Sequence, residues 1–276
     1  MSCHRLTIVV DNNAGNDLAA EHGFALFIEA AEHSLLLDSG QKDALLKNAP
    51  ALAIDPALID LLVLSHGHYD HTGNVAYLLR KNKNMHIYLH SGVFQPRYSL
   101  DDKRPAMIKM PLSAMQAVMQ HPDDKVHWLT RPVSLDTTIG ITGPIPRRFE
   151  FEDTGGRFFL DAEGHTIDII RDDVALWLRG SKGLTLCLGC CHAGLINTLS
   201  YVFELSGEKR IDTIVGGLHL LHADERRLKK TVSELRKFDI GRIVACHCSG
   251  EEAVEYLAAH LPCKVVKGYA GMRLEC

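Results

Sequence analysis

The sequence has no apolar run long enough to span a bilayer, which excludes a helical membrane protein. It carries little net charge, −4 over 276 residues, so neither a nucleic-acid track nor attraction to an anionic membrane surface is expected. It lacks internal repeats and low-complexity linkers that would mark a domain boundary. Its eight cysteines do not form the regular framework of a secreted mini-protein. Cys3, Cys187, Cys263 and Cys276 read instead as buried free thiols of a reducing compartment. The chain also runs almost directly from Met1 into the strand-like Leu6-Thr7-Ile8-Val9-Val10, which points to a cytoplasmic protein with a small-molecule substrate.

What is present is ample core material, 46% hydrophobic residues, and the economical expectation is one α/β domain over residues 1–276. Gly23–Glu29 and Ser34–Asp38 read as a hairpin, and the wholly apolar Leu61–Leu64 as a strand buried on both faces. Val75, Leu78 and Leu79 recur at helical spacing, and Met85–His90 reads as the next strand. Residues 92 to about 125 break this rhythm with four prolines, a scatter of Arg97, Lys103, Arg104 and Lys109, and a methionine-containing stretch. They are a candidate lid insertion or a plain surface excursion. Further strands are expected at Val126–Leu129, Leu135–Ile141, Val174–Leu178, Leu184–Leu188, Ile211–Val215 and Arg242–Ala245. Helices are expected at Leu195–Leu205, Asp224–Phe238 and Glu251–Leu261. Two strand-rich stretches, each ending in helices, predict two sheets face to face with helices outside.

The chemistry concentrates in Ser65-His66-Gly67-His68-Tyr69-Asp70-His71-Thr72-Gly73-Asn74, directly after the Leu61–Leu64 strand. In an extended segment, residues two apart point the same way, so His66 and His68 converge on one cation. Asp70 and His71 fall where a helix begins and turn toward a second cation. Imidazole and carboxylate are borderline-to-hard ligands that suit Zn, Mn or Fe, with Zn favoured here. Three further histidines follow strand-like runs beside glycine: His192 after Leu184–Leu188, His219 after Ile211–Val215 and His247 after Arg242–Ala245.

His-x-His-x-Asp-His after a strand resembles the metallo-β-lactamase superfamily, which implies a four-layer αββα sandwich with a metal pair at one edge. Asp11-Asn12-Asn13, Glu21-His22-Gly23, Leu37-Asp38-Ser39-Gly40, Cys191-His192-Ala193-Gly194-Leu195-Ile196-Asn197, Gly216-Gly217-Leu218-His219-Leu220 and Cys246-His247-Cys248-Ser249-Gly250 are similar to one branch of it. That branch is the 7,8-dihydropterin-6-yl-methyl-4-(β-D-ribofuranosyl)aminobenzene 5′-phosphate synthase-like proteins, and the similarity runs nearly end to end. It implies two divalent metal ions, one held by His66, His68 and His192, the other by Asp70, His71 and His247.

The chain departs from the commoner superfamily pattern in two places. The histidine block that usually precedes the fourth motif is missing, with Asp172-Asp173 near its expected position, and Cys190 stands where a bridging aspartate belongs. His192 would supply the lost imidazole, while Cys190 either bridges as a thiolate or packs. Asp38 is expected to accept the second N–H of a metal-bound imidazole. His219 is assigned as general acid by analogy with superfamily nucleases. Arg97 and Arg104, with Lys109, Arg147 and Arg148, are candidates to hold a phosphate or carboxylate of the substrate. The implied reaction is hydrolysis, or a related displacement, of a small phosphorylated or ester- or lactone-type substrate, with Asp70 orienting the attacking water. Alternatives are a phosphodiesterase of cyclic nucleotides or RNA ends, and a non-catalytic metal-binding or sensing protein.

Overall fold

The computed structural model describes residues 4–30, 32–100 and 104–276. Cys3 and Lys103 lie outside them. Strands run in chain order as β1 (Arg5–Val10), β2 (Ala25–Glu29), β3 (Ser34–Leu37), β4 (Leu61–Val63), β5 (His86–Leu89), β6 (Tyr98–Ser99), β7 (Ala106–Met107), β8 (Val126–Trp128) and β9 (Val133–Ser134). They continue as β10 (Ile139–Ile141), β11 (Phe158–Phe159), β12 (Ala175–Gly180), β13 (Gly183–Leu188), β14 (Arg210–Gly217), β15 (Asp239–Cys246), β16 (Lys264–Lys267) and β17 (Arg273–Glu275). Helices are α1 (Ala44–Ala51), α2 (Tyr69–Thr72), α3 (Val75–Lys81), α4 (Leu112–Met119), α5 (Leu195–Ser206), α6 (Glu225–Leu235) and α7 (Glu251–His260).

One sheet has the order β17-β1-β2-β3-β4-β5-β8, the other β16-β15-β14-β13-β12-β10-β9. Alternation along the strands explains how both faces of each sheet are filled. Leu36 and Leu62 join Leu45, Val75 and Val118 in an outer core under α1, α3 and α4, while Leu35, Leu37, Leu61 and Val63 face the other way. These inward residues meet Leu176, Leu178, Cys187, Val215 and Val244 of the second sheet. Leu184, Leu186 and Leu188 point outward to Leu195, Leu199, Leu228 and Leu257 of α5, α6 and α7. Three apolar interfaces between four layers make this an αββα sandwich.

Two expectations need correction. The strand expected at Leu135–Ile141 is interrupted: Asp136 Oδ1 accepts the backbone N–H groups of Thr138 and of Ile139 (2.9 Å for the latter), making a turn between β9 and β10. The 92–125 excursion contains α4 and two short strands, β6 and β7, which form a third small sheet with β11 in the order β11-β6-β7. Its residue Ile108 accepts the N–H of Tyr69 at 3.1 Å, and Lys109 bridges to His68, so it lies against the histidine-rich loop.

Candidate metal centre

Every histidine of interest follows the C-terminal end of a strand, so the two sheets deliver them to one edge. After β4 the chain stays extended through His68 (φ −75°, ψ 150°) and then turns into α2, which carries Asp70 and His71. His192 follows β13, His219 follows β14 and His247 follows β15. His219 and His247 both adopt left-handed backbone conformations, φ 48° and 47°, a strained geometry for these residues that aims them back over the edge.

His66, His68 and His192 are buried and their imidazole nitrogens converge within 4.8 Å. His66 Nε2 lies 3.0 Å from His68 Nδ1, and ring centroids of His192 sit 4.7 and 4.9 Å from those of His66 and His68. Among the described residues, His68 Nε2 and His192 Nε2 are buried without a hydrogen-bond partner. Burial, reinforced by neighbouring cationic groups, pushes all three imidazoles well below the usual histidine range, so they present lone pairs. Clustered, dry, unprotonated imidazoles fit a metal ion better than they fit one another.

The second group surrounds Asp70. Its Oδ2 is 3.2 Å from His247 Nε2, 3.9 Å from His71 Nε2 and 3.0 Å from His22 Nε2. Although burial opposes it, His71 and hydrogen bonds from His22 and His247 hold the Asp70 carboxyl well below the carboxylate range. His71 Nε2 is 3.3 Å from His247 Nε2. His22 was not among the residues singled out for this group. Its only local signal was a place in Glu21-His22-Gly23 just before β2, and no spacing rule ties that to α2.

Cys190 Sγ sits among these groups, 3.0 Å from His71 Nε2 and within 4.8 Å of ligand atoms on His66, His192, His219, His247 and Cys248. Burial pushes its thiol well up, so a thiolate there needs an adjacent cation. Cys187 is three residues earlier yet packs in the core between the sheets, so the two do not form a dithiol pair. Cys263 and Cys276, expected to be buried, are half-exposed.

Asp38 closes β3 with φ 61° and is fully buried. Its Oδ2 accepts from Ser65 Oγ and lies 2.6 Å from His71 Nδ1; its Oδ1 accepts from the Ser65 N–H at 2.8 Å. Ser65 Oγ in turn contacts His66 Nδ1 at 2.8 Å, so one carboxylate orients an imidazole in each group. Burial alone would depress His71, but Asp38 and Asp70 outweigh it and push its pKa up to about 9.

The His219 ring lies 4.1 Å from that of His192, tilted by 44°, and meets Phe158 edge-on at 5.9 Å. Burial, then His247, bring its pKa down to about 3, so it is neutral near pH 7 and offers a hydrogen bond without a surplus proton. It forms the inner wall of a cavity of about 1190 Å³ that opens past Gly155 and Arg157 to Arg226, Arg227 and Lys230 on α6.

The arginine expectations fare differently. Arg97 cannot hold a substrate: it is fully buried, paired to Asp168 at 2.8 Å and to both oxygens of Asp172. Arg147 donates to the His192 carbonyl at 2.7 Å, and Arg148 is paired with Glu204. Arg104 is exposed.

A family model described as the metallo-beta-lactamase superfamily matches residues 19–247. Among curated proteins the chain is 27% identical over 248 residues to a 7,8-dihydropterin-6-methyl-4-(beta-D-ribofuranosyl)-aminobenzene-5'-phosphate synthase of Methanocaldococcus jannaschii, covering 85% of this chain and 83% of the relative. It is 28% identical to an uncharacterised protein of the same organism, covering 92% and 93%. The solved structure of a metal-dependent hydrolase of the beta-lactamase superfamily superposes with a TM-score of 0.84 at 28% identity, covering 99% of both chains. A metallo-beta-lactamase fold protein of Bacillus subtilis shares the fold at a TM-score of 0.60 and 12% identity.

Proposed function

The chain belongs to the metallo-β-lactamase superfamily, and from that premise we propose that it is a metal-dependent hydrolase-like enzyme with a dinuclear centre. The observation that carries this reading is the convergence of the unprotonated imidazoles of His66, His68 and His192 with further histidines, one ionised carboxylate and one thiol at a single sheet edge. His66, His68 and His192 would hold one divalent ion, and Asp70, His71 and His247 the other, with His22 beside them. Cys190 Sγ lies within 4.8 Å of imidazole nitrogens from both groups, which supports a bridging role, and a thiolate there would favour Zn or Fe over Mn.

Bound in this cluster, divalent metal would lower the pKa of a water and neutralise the anion that develops at an attacked carbonyl or phosphoryl centre. Asp70, kept ionised by its histidine neighbours, orients that water. His219, kept neutral, donates a hydrogen bond to the departing oxygen from the cavity wall. The cavity is sized for a small molecule, and Arg226 and Lys230 on its rim suit a phosphorylated or otherwise anionic substrate. The similarity to the pterin-linked synthase makes a pterin-related compound the first substrate class to try. The seven described cysteines are free, which fits a cytoplasmic setting, and no described helix is long and apolar enough to cross a membrane.

Elemental analysis of the purified protein tests the reading, with His68→Ala and His71→Ala beside it. Each variant is expected to lose about one metal per chain and most activity together, while stoichiometric metal in both would overturn the assignment. A panel of phosphodiester, phosphomonoester and lactone substrates then separates hydrolysis of small esters from cyclic-nucleotide cleavage, and silence on all of them with metal bound favours a sensing role.

A further inference from the structure

The three imidazoles of the first group come from two different sheets, and something must fix their separation. The stretch that enters β12 runs between the two loops. Asp172 Oδ2 accepts the N–H of Gly67, the residue between His66 and His68, at 2.8 Å. Asp173 Oδ2 accepts the N–H of Ala193, the residue after His192, at 2.6 Å. Val174 donates to the Ser65 carbonyl at 3.0 Å. Three consecutive residues therefore reach the backbone within one position of every imidazole in the group.

A fully buried carboxylate such as Asp172 needs a cation beside it. Arg97 supplies it, donating to both oxygens of Asp172 and, through Nε, to Asp168. The same guanidinium reaches the Gly92 carbonyl at 3.3 Å, next to Val93. Gly67 is pressed against that segment so closely that a Cβ would come within 2.4 Å of the Val93 carbonyl oxygen. The His66–His68 loop is thus held from both sides. On the other loop, Arg147 donates to the His192 carbonyl and carries charge near Asp173.

We propose that Asp172 and Asp173, with Arg97 as counter-ion, form a clamp that sets the spacing of His66 and His68 against His192. They are positioning residues: the geometry makes them neither ligands nor substrate contacts. The proposal rests on the metal reading above. It gives a role to the Asp172-Asp173 pair, which stands where a histidine block was expected, and to the arginine that the substrate reading misassigned.

The test is titration of the metal-free full-length chain with Co(II), read by its visible spectrum and by competition with a chelator of known affinity. In Arg97→Lys, Asp172→Ala and Asp173→Ala, one Co(II) equivalent is expected to bind at least tenfold more weakly with an altered d–d band. The other equivalent should stay within about twofold. Asp173→Asn keeps an oxygen for the Ala193 N–H and should bind close to wild type. Circular dichroism and thermal midpoints of the metal-free variants identify those that fold, and Arg97→Lys decides if the alanine variants do not. Unchanged affinity and spectrum in a folded variant would overturn the clamp, as would equal weakening of both equivalents in step with lost stability. Wild-type protein that takes up no Co(II) would remove the metal reading itself.

Discussion

A single carboxylate with no exposure, Asp38, accepts from the Ser65 amide and hydroxyl and lies in hydrogen-bond contact with His71. Asp38→Asn keeps the volume but turns one acceptor into a donor aimed at Ser65 or His71. Outer partners of this kind typically contribute 10–100-fold to metal affinity or activity, and a loss of that size is expected in both metal stoichiometry assays and turnover. Asp173 gives a stability prediction with a definite sign. Burial raises its pKa from 3.8 to about 7, so the folded state holds a proton that the unfolded chain has already released. Its ionisation penalty is absent below pH 3.8, grows as pH rises toward 7 and is complete above, on the order of a few kcal/mol. The metal-free Asp173→Asn variant should therefore gain thermal stability over wild type as pH rises from 4 to 7 and hold the gain at pH 8; a gain that shrinks with pH would contradict the assignment. Asp11, raised to about 6, adds a background common to both proteins. His66, His68, Asp70 and His71 were legible in the sequence because strand and helix geometry place them locally. Arg97 was not, because its partners Asp168 and Asp172 are some seventy positions away and burial reverses what an arginine signals.

At the scale of elements, two helices are capped from a distance. Helix α5, which follows His192, starts at Gly194 with no side-chain cap of its own, and Glu152 accepts the N–H groups of Ile196 and Asn197 at 2.9 and 2.7 Å. Glu21 does the same for α1, accepting from Gln41, Lys42 and Ala44. A carboxylate there satisfies orphan donors and meets the positive end of the helix. Glu152→Ala should lower unfolding free energy by about 1–2 kcal/mol in a denaturant titration, the usual loss for a helix cap. No change would mean that solvent replaces it. Such caps are invisible to a reading of local motifs, which looks for them within three residues. The periodic apolar faces of α3, α5, α6 and α7 were legible. Helix α4 was hidden among prolines, and α1 carries Pro50 in its last turn. Strands of two residues, as in the β6, β7 and β11 sheet, leave no alternation to count.

Across the whole molecule, the residues proposed to hold metal come from both sheets: His66, His68, Asp70 and His71 follow β4, while His192 and His247 follow β13 and β15. The apolar layer between the sheets already joins them through Leu35, Leu37 and Val63 against Cys187, Val215 and Val244. The pairing of two strand-rich halves was legible from the order of apolar runs; which ends would meet was legible only through the family resemblance, since it depends on parallel pairing of β13, β14 and β15, which no local pattern shows. Metal at this edge would act as a second tie between the sheets, present only in the folded chain. Ligand held at a thousand times its dissociation constant stabilises by about 4 kcal/mol. For a chain of this length each kcal/mol is worth roughly 2–4 °C. Removing metal with a chelator should therefore lower the thermal midpoint by on the order of 10 °C while leaving one cooperative transition, because the shared core persists. Returning Zn(II) should restore it, and the same treatment of the His68→Ala, His71→Ala double variant should move the midpoint little. A wild-type midpoint that stays put while elemental analysis shows the metal gone would mean that the centre sits on the edge without tying the sheets together.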